Sequence, residues 1–184
     1  LETEFTGTIS VDDHTLQLKS RLDRMDRHNN ALTIIDYKTG QIDTLNIPTR
    51  KNEENSKILD EDFLRTLYKN STRSELFQLL FYAFLVKNAT EKRTKDDQKE
   101  KYNPYQGQEP SLLICSIKKG TFEAVKIKDT KNSVTFGEEI EAPFVLGLKE
   151  ALSIILSDEP FTQTNDEKNC HYCPFREICG RKGE

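Results

Sequence analysis

The sequence lacks any long hydrophobic run. Its longest unbroken apolar stretch covers residues 79–86, whereas a helix that spans a bilayer needs about 20 residues. No basic segment followed by an apolar one opens the chain, so no secretion signal is read. No methionine stands at position 1, and the chain is expected to be a piece of a longer protein or one whose start is missing. Cysteine is scarce, with 4 residues, and three of them fall within the last fifteen positions. A secreted disulfide scaffold spreads its cysteines more evenly, so metal binding in a cytoplasmic protein is the expectation. Positive charge is not in excess either, with a net charge of −4. That argues only weakly against nucleic acid, because carboxylates that neutralise a divalent cation also make a chain acidic. No internal repeat is visible.

What is present fits one domain. A chain of 184 residues can bury a core, and 35% apolar with 32% charged residues describes a well-solvated surface around it. Residues 5–11 read as a strand that ends in the polar turn Asp12-Asp13. Leu16, Leu18 and Leu22 alternate with Gln17, Lys19, Arg21 and Asp23, the period of a half-buried strand. After a turn at His28-Asn29-Asn30, residues 31–37 form a third strand, stopped by Thr39-Gly40. The three are expected to pair as an antiparallel meander.

Residues 41–55 read as an irregular loop. Ser56 is the expected N-cap of a helix reaching about Lys69. A second helix, over 73–87, carries Leu76, Leu79, Leu80, Ala83 and Phe84 along one broad apolar side. Residues 90–107 are charged and contain proline, and they read as a mobile surface excursion. Residues 111–117 and 121–127 form a hairpin around Lys118-Lys119-Gly120. A helix over 143–157 follows, with Phe144, Leu148, Leu152 and Ile155 at helical spacing.

The segment Ile34-Ile35-Asp36-Tyr37-Lys38-Thr39-Gly40 carries the most chemical information. Residues two apart in a strand face the same side, so Asp36 and Lys38 project together from the end of an otherwise apolar strand. A carboxylate is a natural ligand for Mg²⁺, and the backbone carbonyl of Tyr37 can add another oxygen. An ammonium beside it can position a water or stabilise developing negative charge. Pairing through the His28 turn brings Asp23 near Asp36. Asp26 is close in sequence but falls on the opposite face unless the strand bulges. Taken alone, the tripeptide also fits an ordinary ion pair at a strand end. Gln78 and Tyr82 are four apart and share a helical face. They suit hydrogen bonding to a phosphate or stacking on a base, and equally a boundary amide beside a core phenol.

The succession Leu22-Asp23-Arg24-Met25-Asp26, a strand, and Ile35-Asp36-Tyr37-Lys38-Thr39-Gly40 resembles the RecB/AddB branch of the PD-(D/E)XK nucleases. Gln78 and Tyr82 look like that family's Gln-x-x-x-Tyr motif, which lies beside the active site and contacts DNA. The resemblance covers residues 5–82 and the last fifteen. It implies an α/β fold of the restriction-endonuclease type, with a mixed central β-sheet flanked by α-helices. It also implies Asp23 and Asp36 as metal ligands and Lys38 as the catalytic lysine. The family draws a further His or Glu from a helix upstream of the first strand. No such helix fits before Phe5, which leaves Glu2, Glu4 or a residue outside the chain.

Cys170-x₂-Cys173-x₅-Cys179 supplies three thiolates, a soft set suited to zinc or an iron–sulfur cluster. A zinc ribbon shows two Cys-x₂-Cys pairs, and one is present. The spacing resembles the C-terminal iron–sulfur staple of AddB-type nucleases, whose first cysteine lies far upstream. The cluster is therefore expected to be incomplete here, and the cysteine tail poorly ordered. Cys115 alternates with Leu113 and Ile117 and reads as a buried structural thiol. His171, adjacent to Cys170, is a strained candidate for zinc. Residues 1–160 are accordingly expected to form the nuclease core and 161–184 the staple.

The implied function is Mg²⁺- or Mn²⁺-dependent exonuclease hydrolysis of DNA, in recombination or double-strand-break repair. Single-stranded ends delivered by a helicase partner or parent chain are the implied substrate. The alternatives are a non-catalytic DNA-binding or assembly module with a nuclease fold, and a zinc-binding interaction domain.

Overall fold

The computed structural model describes residues 2–42, 44–89, 91–94, 99–100, 103–130, 133–160, 162–163, 170 and 173–180. The chain opens with two hairpins. Strands β1 (Thr3–Val11) and β2 (His14–Leu22) pair around Asp12, whose φ is 51°. Strands β3 (Arg24–His28) and β4 (Ala31–Lys38) pair around Asn29 and Asn30, at φ 47° and 64°. Positive φ at both central residues matches the turn to the twist of the strands, and asparagine tolerates it.

The expected single meander is corrected here. Residues 14–28 are two strands, and they lie in two different sheets. The chain bends at Asp23 and passes from one sheet into the other.

Beyond β4 come three short strands, β5 (Asn46–Ile47), β6 (Thr49–Lys51) and β7 (Lys57–Leu59). The helix expected from Ser56 is shorter. β7 pairs with β6, which engages the backbone of the expected first turn, and Asp60 caps helix α1 (Glu61–Arg65) by accepting from the Phe63 amide at 3.1 Å. Helix α2 (Ser74–Asn88) follows as expected. The described part of the segment after it is not a free excursion. Strand β8 (Glu91–Thr94) pairs with β1, and β9 (Lys99–Glu100) pairs with β8. Asn103 is buried and donates to the carbonyls of Val86 and Ala89 at 2.6 and 3.0 Å, closing the end of α2.

Strands β10 (Ser111–Ser116), β11 (Thr121–Ala124) and β12 (Lys126–Ile127) precede helix α3 (Glu138–Leu156). This last helix begins five residues before the expected Pro143. Proline there forgoes one intrahelical bond, and Glu138, Glu139 and Glu141 favour the positive end of the helix.

One sheet runs β2-β1-β8-β9, and a second runs β3-β4-β10-β11. In the second, β4 and β10 are parallel and the outer pairs antiparallel, so the sheet is mixed, as the sequence implied. Helix α2 packs against β1 and β2 of one sheet and β4 and β10 of the other. Its Leu76, Leu79, Leu80 and Ala83 are fully buried, with Phe5, Leu22, Ile34 and Ile114 in the same core. Tyr82, Phe84, Leu85 and Val86 are buried too, so residues 82–86 of α2 are buried around a full turn rather than along one stripe. Helix α3 crosses α1 so closely that a Cβ on Gly147 would lie 1.9 Å from the Arg65 carbonyl oxygen. Among the described residues, no helix is long and apolar enough to cross a membrane.

Candidate active site

The site forms where β4 ends. Apolar Ile34 sinks into the core, and two residues later Asp36 points to the same side, at 3% exposure. Its register neighbour on β10 is Ile114, also buried. Lys38 follows on that face, and its Nζ lies 2.9 Å from Asp36 Oδ2. The contact is an ion pair, and beyond it the buried Oδ2 has no hydrogen-bond partner among the described residues. Burial pushes the Asp36 carboxyl above the usual carboxylate range. The Lys38 ammonium opposes that rise, and the charges of Asp23 and Glu75 add to it.

Asp23 arrives by a different route. β3 pairs with β4 only as far as Arg24 opposite Ile35, so β3 offers no ladder partner to the Tyr37 amide. The chain has turned away at Asp23, and the Asp23 carboxylate takes that place, with Oδ2 accepting from the Tyr37 amide at 3.0 Å. A bend thus puts a second carboxylate beside the first. Arg24 grips Asp26 through two hydrogen bonds of 2.8 Å and donates to the Tyr37 hydroxyl at 3.1 Å. The bond to Asp26 is the main cause that raises the guanidinium pKa still further, and the same bond holds the Asp26 carboxyl below its usual range.

Helix α2 supplies the other wall. Lys38 Nζ donates to Gln78 Oε1 at 2.8 Å, and Gln78 Nε2 donates to Asp36 Oδ1 at 3.3 Å and also to the Tyr82 hydroxyl. Tyr82 is 8% exposed, and burial raises its phenol pKa. Asp23, Asp36, Tyr37, Lys38, Gln78 and Tyr82 are therefore brought together. Glu75 was missed in the sequence. It lies in the first turn of α2, and its charge reaches Asp36. The spacing Glu75, Gln78, Tyr82 along one helical face could have indicated it.

Other candidates lie elsewhere. Glu4 pairs with Lys19 at 2.9 Å, and Glu2 lies 3.8 Å from Arg21. Cys115 is half-buried, in register with Tyr37 and Phe122 on the sheet face away from Asp36. Cys170, Cys173 and Cys179 carry free thiols, and His171 lies outside the described residues. Among the described residues, no three of His, Cys, Asp and Glu converge to hold a metal ion. Among those residues the cysteines give no fitted cluster site.

The donor set at β4 does suit a hard divalent cation. It offers a buried carboxylate oxygen with no hydrogen-bond partner beyond its ion pair with Lys38, and a second carboxylate beside it. Asp36 Oδ2, Asp23 and the Tyr37 carbonyl are the groups that would hold such an ion.

Comparison with known proteins gives the family. The profile of the PD-(D/E)XK nuclease superfamily matches residues 1–180, and the chain belongs to that superfamily. Membership points to nuclease activity, generally metal-dependent. A solved structure, described as the crystal structure of SSO0001, shares 16% identity with a TM-score of 0.42. The match covers 98% of this chain and 60% of that one, so this chain spans about three-fifths of the other's length. No curated protein matches the chain.

Proposed function

We propose that this chain is the nuclease domain of a RecB-like exonuclease, hydrolysing DNA phosphodiester bonds with Mg²⁺ or Mn²⁺. The observation that carries the reading is the end of β4. There a buried carboxylate oxygen faces a lysine ammonium at 2.9 Å and has no hydrogen-bond partner beyond that ion pair. Burying such a pair costs free energy unless something else is gained from it. A nuclease gains a cation site and an ammonium within reach of it. Asp36 Oδ2, Asp23 and the Tyr37 carbonyl would hold the cation, which when bound would polarise the phosphate and lower the pKa of a water.

Lys38 has three N–H donors. One goes to Gln78 and one faces Asp36, which leaves the third for the attacking water or a phosphate oxygen. Glu75, in the first turn of α2, adds negative charge that a cation would offset. The order Asp23-Arg24-x-Asp26, Asp36-Tyr37-Lys38, Gln78-x₃-Tyr82 supports the RecB-like branch. With it come DNA ends as substrate, a helicase partner or parent chain, and a role in recombination or break repair. The spacing of Cys170, Cys173 and Cys179 supports an iron–sulfur staple, structural rather than catalytic. No step of the hydrolysis runs through it.

The test is cleavage of end-labelled single-stranded DNA by the full-length protein with Mg²⁺ or Mn²⁺. Asp36→Ala and Lys38→Ala are each expected to lower the rate by on the order of 10²–10³. Equal rates for the wild type and both variants would overturn the assignment and favour a non-catalytic DNA-binding module.

A further inference from the structure

The contacts of Gln78 point past a DNA-facing role. Both of its amide hydrogens have partners inside the protein, one at Asp36 Oδ1 and one at the Tyr82 hydroxyl. Its carbonyl oxygen takes the Lys38 ammonium at 2.8 Å. Tyr82 is buried, with its hydroxyl turned to the same amide. Gln78 is half-buried, and each of its amide atoms has a partner within the protein.

The identity of residue 78 has a chemical logic. The position must accept from an ammonium and donate to a carboxylate at once, without adding charge between them. A primary amide does both. A carboxylate would accept from Lys38 but repel Asp36, and an ammonium would do the reverse. Lys38 sets which way the amide lies, because only the oxygen can face an N–H donor. That leaves the nitrogen for Asp36.

We infer that Gln78, held by Tyr82, is a positioning residue: it ties Asp36 Oδ1 to the helix and so reserves Oδ2 for the cation, while aiming Lys38. The inference rests on the nuclease reading for its effect on rate, but not for its effect on cation binding. The asymmetry of Asp36 carries it. Oδ1 has the amide as donor, and Oδ2 has no hydrogen-bond partner beyond its ion pair with Lys38. Groups that orient a metal-binding carboxylate typically contribute 10–100-fold to metal affinity or activity. The bridge spans β4 and α2, so helix and strand are fixed to each other at the point where the chemistry occurs.

The test uses Gln78→Ala and Tyr82→Phe in the full-length protein, with circular dichroism and thermal melting to verify folding. The second variant keeps the ring and removes only the hydroxyl. Three quantities are measured: kcat and KM on single-stranded DNA, DNA affinity in metal-free buffer, and Mn²⁺ affinity without DNA. Gln78→Ala is expected to lower kcat and weaken Mn²⁺ binding by on the order of 10–100-fold, with KM and metal-free DNA affinity within about twofold of the wild type. Tyr82→Phe is expected to move the same two quantities in the same direction, by less. Weakened DNA affinity with kcat at saturating DNA and Mn²⁺ affinity unchanged would overturn the inference and make both residues DNA contacts. Should the wild type cleave nothing while Gln78→Ala still weakens Mn²⁺ binding, the positioning role stands and the nuclease reading falls. Unchanged Mn²⁺ affinity in a folded Gln78→Ala protein overturns the positioning role whatever the wild type cleaves.

Discussion

At the scale of single residues, Asp36 is the group under most stress. Burial raises its pKa from the ordinary 3.8, so the folded chain holds this proton to higher pH than the unfolded chain does. The folded state then binds more protons between those two values, and stability falls as pH rises through that window. The ionised, buried form is therefore a cost at neutral pH, opposed by Lys38 and removable by a cation. Without divalent ions, Asp36→Asn is expected to melt above the wild type near neutral pH. The gap is expected to be about 2–4 °C for each kcal/mol relieved, and to close as pH falls below the ordinary carboxylate range. Adding Mg²⁺ should raise the wild type alone, since the variant has lost a ligand oxygen. Thermal melts across pH check this. A variant less stable than the wild type at neutral pH without metal would show that the pairing with Lys38 outweighs burial.

At the scale of elements, the ends of helices are set by contacts that no local pattern contains. The end of α2 depends on Asn103, whose amide satisfies two carbonyls from 14 and 17 residues away. Asn103→Ala leaves those buried acceptors without that donor and is expected to cost about 1–3 kcal/mol in urea unfolding. Gly147→Ala would push a methyl group into the Arg65 carbonyl, and is expected to cost at or above the usual overpacking range of about 1–3 kcal/mol. If both variants unfold at the wild-type urea midpoint, these contacts are not holding the helices.

The same distinction explains what could be read beforehand. β1, β4, α2 and the β10–β11 hairpin follow from alternation, helical spacing and turn residues, all local. Asp36 and Lys38 share a face because strand period alone dictates it. Asp23 could be placed only approximately, since its position depends on a bend between sheets. Asp60 overrode Ser56 as a cap because β7 finds a partner in β6. Glu75 and the amide bridge of Gln78 depend on how α2 lies against β4, which is tertiary.

At the scale of the whole molecule, α2 is the member common to both sheets. Removing its packing should therefore disturb everything together. Leu80 is fully buried, and Leu80→Ala is expected to cost about 2–5 kcal/mol. Unfolding of this variant followed by circular dichroism and by residual Mn²⁺ binding should give coincident transitions. Two separated transitions would mean that the sheets melt independently of the helix. The parallel pairing of β4 with β10 has a consequence in time. β4 ends at Lys38 and its partner begins at Ser111, about 70 residues later. At roughly 5–20 residues per second of synthesis, the strand that carries Asp36 and Lys38 waits several seconds on the ribosome for its neighbour.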